Sequence, residues 1–190
     1  MSDEEVQQLF DTRMEQKVLD MEGNVIEGVQ AEKVDMAKER KKPESERKLP
    51  LYIYDSGDEG KLYIVSVRGN GLWDEIWGSL ALKGDFNTIA GVSFDHKAET
   101  PGLGAEIKDN PAFPAQFIGK ELYNDEGNYV SVEVVKTGAT GSEHKVNGIS
   151  GATITGNGVS EMLDRGIAYY QPYFQKQQKG EKSMGMILEQ

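Results

Sequence analysis

The sequence has 190 residues, a formal net charge of −11, no cysteine and two histidines. That length suffices for one sizeable core, while the charge opposes nucleic-acid backbones and anionic lipid surfaces. The lack of cysteine excludes disulfide scaffolds, thiolate-held clusters and cysteine nucleophiles. His96 and His144 are too far apart in sequence to suggest a structural zinc site, and no apolar run approaches the ~20 residues that span a bilayer.

In chain order, Val6, Leu9, Phe10, Met14 and Val18 recur at roughly helical spacing behind Asp3, Glu4 and Glu5, which predicts a helix over residues 3–19. After a turn at Gly23, the first half of GVQAEKVDMAKERKKPESERKLP reads as helix, stopped by Pro43. Its KERKK run reads as a solvated face or linker. LYIYD and KLYIVSVRG are strands joined as a hairpin by the turn-forming SGDEG. EIWGSLALKG and TIAGVSFDH form a second strand pair through GDFN. NPAFPAQFIG reads as a short helix with Pro111 near its first turn. YVSVEVVKTG alternates as a strand. A last helix runs from about Gly156 to Gln171 on Val159, Leu163, Ile167 and Tyr170. The tail QKQQKGEKSMGMILEQ carries no pattern and is expected to be mobile. Helices, then hairpins, then a helix predict an α+β fold with an antiparallel sheet, not a parallel Rossmann sheet. The expected division is an N-terminal helical region 1–48, an α+β domain 49–172 and a tail 173–190.

The stretch VNGISGATITGNGVSEML carries four hydroxyls and four glycines ahead of that last helix. A helix start has unpaired N–H groups and a partial positive charge. Gly151, Gly156 and Gly158 offer backbone freedom and Ser150, Thr153 and Thr155 offer hydroxyls, a combination suited to a phosphate. An ordinary glycine-rich turn capped by threonine fits the same residues. No P-loop lysine follows the glycines. In ETPGLG, Thr100 precedes a proline and is extended. Gly102 and Gly104 keep the loop free of bulk, and Leu103 offers an apolar contact; a plain turn after a strand is the alternative. Trp73 and Trp77 are core, interface or stacking residues.

SGATIT at residues 150–155, followed by GNGV, resembles the attachment motif of the FMN-binding domain family. HKAETPGLGAEI, residues 96–107, is similar to a second loop of that family, and RGNGLWDEIWGSLAL, residues 68–82, to a third. FDTRMEQKVLD extends the likeness toward the branch formed by the C-type subunits of sodium-translocating NADH:quinone oxidoreductases. Together the likeness covers most of residues 9–170. The resemblance implies FMN held by a phosphoester on Thr153, with Thr155 the other hydroxyl of the turn. The bond is made by a flavin transferase that uses FAD and a divalent metal. Family members place an aspartate three residues before the motif's serine, where this sequence has Asn147. Ser150, Gly151, Ala152 and Thr155 are then expected around the attachment point. Glu99, Thr100, Gly102, Leu103 and Gly104 are expected along the isoalloxazine, with Glu99 or His96 tuning it and Trp73 able to stack. The two segments should meet on one surface with Leu103 facing it. The implied activity is electron relay within an NADH:quinone reductase, without a complete active site in this chain, and the implied partners are the other subunits. The family's soluble domain lies on the periplasmic side of the bacterial inner membrane, behind an N-terminal membrane helix. This sequence contains no such helix and is read as the soluble segment after it. The G-type subunit of Rnf-type ferredoxin:NAD complexes, a stand-alone flavin carrier, or a non-redox module using the glycine turn structurally are the alternatives.

Overall fold

The protein is described by a computed structural model covering residue 8 and residues 12–57 and 60–188, with residues 181–188 as backbone. Of the helix expected over 3–19, residues 3–7 and 9–11 lie outside the described residues, and residues 8, 12 and 13 are helical. From Met14 the chain is a strand, β1 (Met14–Leu19). It pairs antiparallel with β2 (Leu49–Asp55), from Leu19 opposite Leu49 to Met14 opposite Tyr54. Met14 and Val18 are four apart, and that spacing puts two residues on one side of a helix and equally on one side of a strand. The free edge of β2 decides between them. The region expected to be helical thus supplies the sheet's edge strand.

The sheet continues with β3 (Lys61–Asn70), β4 (Glu75–Leu82) and β5 (Ile89–His96), in the order β1-β2-β3-β4-β5, antiparallel throughout. Both predicted hairpins are present. Alternation along β3 and β4 sends Val65, Val67, Ile76, Leu80 and Leu82 into the core.

Residues 31–48 hold two single 3₁₀ turns and a four-residue helix, α1 (Met36–Glu39), whose start is capped by the Asp35 carboxylate. The KERKK run is a clasp and not a linker. Glu39 is buried and accepts hydrogen bonds from Lys42 Nζ at 2.7 Å and Lys48 N at 2.9 Å. Arg40 donates to Gly69 O and to Asn70 Oδ1, closing the far end of β3. Two short helices, α2 (Glu106–Asp109) and α3 (Ala112–Ala115), follow β5, the latter directly after Pro111. Only three residues of YVSVEVVKTG form a strand, β6 (Glu133–Val135), which pairs parallel with β7 (Lys145–Asn147). Ser131 takes a left-handed backbone, φ 58°, which interrupts the alternation.

Helix α4 (Thr153–Ala168) lies on the sheet with Val159, Met162, Leu163 and Ile167 buried. Two of its glycines permit this approach. A Cβ on Gly158 would fall 2.1 Å from Asn70 O, and one on Gly166 would fall 2.7 Å from Val67 Cγ1. Gly156 is buried against Val134 in the same way. Gly158 therefore serves packing and not, as the sequence suggests, a ligand's approach, whereas Gly156 both packs on Val134 and lines a groove beside Thr153. Of the segment expected as a tail, residues 173–188 are helical, within α5 (Gln171–Leu188), and Tyr173 and Phe174 are buried. Phe174 stacks on Phe86 with centroids 4.7 Å apart. With Tyr170, these rings recur at i, i+3 and i+4, the helical pattern that the polar residues beyond them obscure.

Gly158→Ala is expected to lower stability by about 1–3 kcal/mol, because overpacking at Asn70 O outweighs the helix propensity gained. Gly180→Ala, in open space on α5, is expected to be neutral or to stabilise by up to ~1 kcal/mol. Urea unfolding of both variants checks the pair; equal effects would count against this packing.

Candidate functional site

Three segments without regular structure converge at the start of α4: the β3–β4 loop around Gly71–Asp74, the stretch Glu99–Gly104 after β5, and the turn Ser150–Ala152. Glu99 is at their centre. It is 5% exposed. Its Oε2 accepts the Thr155 hydroxyl at 2.6 Å, across 56 residues of chain, and its Oε1 accepts Trp73 N at 2.9 Å. Neither loop glycine beside it tolerates a side chain. A Cβ on Gly104 would fall 2.3 Å from Oε2, and one on Gly71 would fall 2.5 Å from Oε1. Burial by itself raises the pKa of Glu99. The Thr155 hydroxyl and the N–H groups of Trp73, Leu72 and Asp74 outweigh that and hold the carboxyl below the ordinary glutamate range.

Around this carboxylate the sequence-predicted residues come together. Thr100 Oγ1 accepts the Trp73 indole N–H at 3.1 Å, and its carbonyl accepts N–H bonds from Leu103 and Ala105, which close the loop. Gly102 adopts φ 73°, open to solvent. Gly151 adopts φ 79°, and a Cβ there would fall 2.7 Å from Leu103 Cδ2. The turn and the loop are therefore in contact, with Leu103 against Gly151. His96 Nδ1 accepts Glu99 N at 3.2 Å, a structural bond. His144 Nδ1 is held by Glu121 O at 2.8 Å, away from this region.

The hydroxyls of the turn diverge. Thr155 is 1% exposed and its hydrogen is given to Glu99. Ser150 and Thr153 are exposed. The threonine cap that the sequence allows is not formed: the N-cap of α4 is Ala152, with no side-chain hydrogen bond and no acid in the first turn. A 16-residue helix thus begins without a capping side chain, and the carboxylate that reaches its first turn is that of Glu99, through Thr155.

In the segments that meet at the start of α4, Leu72, Trp73, Leu103 and Ile154 are 43%, 67%, 41% and 57% exposed. Trp73 is solvent-facing yet fixed at both its backbone and indole N–H groups. An open groove of roughly 230 Å³ lies between Val134–Thr137 and Gly148–Thr153. Asn147, at the base of the turn, exchanges two hydrogen bonds between its peptide group and the Gln116 side chain, and its Oδ1 accepts Ala139 N at 3.2 Å. The groove wall at Val134–Thr137 and the role of Gly71 escape sequence reasoning. The glycine pair in GNGLW is a usable signal for Gly71; nothing local marks the wall.

Residues 71–168 match the family described as FMN-binding domain. The chain belongs to that family. It is 39% identical over 177 residues to the C-type subunit of the Na(+)-translocating NADH-quinone reductase of Vibrio anguillarum, a match covering 84% of this chain and 68% of that one. Across Vibrio relatives of this name the matched share of the relative ranges from 43% to 68%. The solved C-type subunit of the reductase from Parabacteroides distasonis is 34% identical with a TM-score of 0.79, covering 92% of this chain and 84% of that one. The solved NqrC of Shewanella oneidensis is 28% identical with a TM-score of 0.81, covering 93% and 89%. The chain is an NqrC-type member of the family, and the α+β architecture agrees with those solved structures.

Folding keeps Glu99 more strongly ionised than the unfolded chain does. Its contribution is therefore fully present above the unfolded glutamate pKa of ~4.3 and is lost as pH falls through the lower folded value. Glu99→Gln is expected to cost about 1–3 kcal/mol at neutral pH. The gap to the parent chain should narrow at about pH 3.5, as read from urea midpoints. A gap that does not depend on pH would contradict an ionised Glu99.

Proposed function

We propose that the chain carries FMN on Thr153, through a phosphoester, as an electron-transfer subunit of a Na+-translocating NADH:quinone reductase. The observation that carries this reading is the uncapped start of α4, which presents an exposed Thr153 while the neighbouring hydroxyl of Thr155 is buried and committed to Glu99.

The arrangement fits the group. A phosphodiester retains one negative charge, and the first-turn N–H groups of α4 face it with the helix's positive end. That interaction stabilises an anion by roughly 0.3–1 kcal/mol at the surface and more when partly buried. Ala152 and the acid-free first turn leave that position open to it. Attachment forms a bond between Thr153 Oγ and the FMN-side phosphorus of FAD. The pyrophosphate bond breaks, AMP leaves and the hydroxyl proton is lost to a base. The transferase supplies the FAD site and a divalent metal. Leu72, Trp73, Leu103 and Ile154 are exposed and Leu103 meets the turn at Gly151, and such apolar surface suits a flat aromatic ring. Ser150, Gly151 and Ala152 keep the turn before Thr153 small, and Gly104 leaves room for the Glu99 carboxylate. Glu99, Thr100 and Gly102 hold that surface in shape.

When bound, FMN supplies reversible electron acceptance; the chain supplies position, a fixed environment and access for partners. Those partners are the other subunits of the reductase and the transferase. The soluble domain belongs on the periplasmic face of the bacterial inner membrane, behind an N-terminal membrane helix; among the described residues no helix is long and apolar enough to cross a membrane. Asn147 leaves the turn's anchorage intact, since the one bond its side-chain oxygen accepts, from Ala139 N, is one an aspartate would also accept. A non-redox module has no evident use for an exposed threonine at an uncapped helix start.

Co-expression with a matching flavin transferase is expected to add one FMN per chain. Thr153→Ala should abolish the mass increase and the in-gel fluorescence after denaturation. Thr155→Ala should keep the label while losing about 1–3 kcal/mol of stability, because Glu99 loses a buried donor. Labelling of Thr153→Ala would move the attachment elsewhere.

A further inference from the structure

Glu99 is an unusual way to tie loops together. A carboxylate this buried ordinarily has a cation beside it, and among the described residues no lysine or arginine pairs with Glu99. The ion pairs closest in sequence join Lys97 to Asp74 and Lys108 to Asp95. Its partners are neutral donors, the Thr155 hydroxyl and N–H groups of the Leu72–Asp74 loop. Neutral donors stabilise a charge without cancelling it, so its field reaches past them. The chain makes room for this group specifically: Gly71 and Gly104 each place their absent Cβ within 2.5 Å of a Glu99 oxygen.

The charge is also close to the proposed attachment point. Thr155, bonded to Glu99, is two residues along α4 from Thr153, a separation of roughly 5–6 Å between α-carbons. Trp73, whose backbone N–H Glu99 accepts, is exposed, as is Leu103, and Leu103 is joined to Glu99 through the closed Thr100 turn. A ring resting on these side chains is on the order of 10 Å or less from the carboxylate. At that range, inside a protein, a full charge acts far more strongly than it would in water.

We propose that Glu99 is a positioning residue that sets the potential of the flavin: a fixed negative charge held under the Trp73 loop and the first turn of α4, which makes the reduced form harder to reach. This rests on the attachment reading above. Reduction adds electron density to the ring, and a nearby uncompensated anion opposes it, so the midpoint potential is lower with Glu99 than without it.

The test uses the full chain flavinylated by co-expression, with midpoint potentials measured spectroelectrochemically at neutral pH and thermal melts of the unlabelled chains in parallel. Glu99→Gln removes the charge and is expected to move the midpoint to more positive values. Thr155→Val keeps the charge and removes one donor that compensates it. It is expected to lower the melting temperature while moving the midpoint to more negative values. Opposite shifts in two variants that both weaken the same loop junction are the signature of charge; a purely structural junction would move both midpoints the same way or neither. An unchanged or more negative midpoint in Glu99→Gln overturns the proposal. If Glu99→Gln is too unstable to label, Thr155→Val decides alone, and an unchanged or more positive midpoint overturns the proposal. Absence of flavin on the parent chain would be a different failure, that of the attachment reading itself.

Discussion

The hydrogen bond from the Thr155 hydroxyl to the buried Glu99 carboxylate joins parts of the chain 56 residues apart, and the arrangement of the site depends on it. Three loops meet there, none of them held by a ladder of its own. A buried carboxylate has four lone-pair directions to satisfy. Supplying donors from two segments of chain is what brings the β3–β4 loop and the start of α4 onto the segment after β5. The glycines at 71 and 104 follow from the same requirement, since side chains there would overlap the carboxylate oxygens.

That junction needs a rigid support, which the sheet and α4 provide. Gly158 and Gly166 let the helix backbone approach β3 closely, and Val159, Met162, Leu163 and Ile167 fill the interface. Arg40 fixes the end of the same strand from the other side, through Gly69 O and Asn70 Oδ1. The proposed attachment point, Thr153, therefore belongs to a regular helix anchored on a sheet, which suits a redox centre held at fixed distance to its partners.

Stability is given up locally at the site. An alanine at the N-cap forgoes roughly 1 kcal/mol relative to serine, threonine or aspartate, and an exposed tryptophan leaves apolar area in water. Both losses are small beside a core that buries Tyr170, Phe86, Phe117 and Phe174. Found at the start of α4 and on the loops that meet it through Glu99, they mark a surface shaped for something other than solvent.

The sequence by itself determines the two hairpins, the last helix and the position of the attachment motif. In each case the signal is local: alternation with turn residues between, 3.6-residue periodicity, or a short run of small residues. It does not determine β1, because the four-residue spacing of Met14 and Val18 serves helix and strand alike until β2 offers an edge. Nor does it reveal that Tyr173 and Phe174 belong to the core, since the polar residues after them dilute the pattern. By residue type alone Thr153 and Thr155 are equivalent hydroxyls, and only the family resemblance favours Thr153. Two residues along a helix are about 200° apart around its axis. Only the docking of α4 on β3 decides which of them faces Glu99 and which faces outward; local sequence carries no information about the rotation of a helix against a sheet it meets more than 80 residues away in the chain.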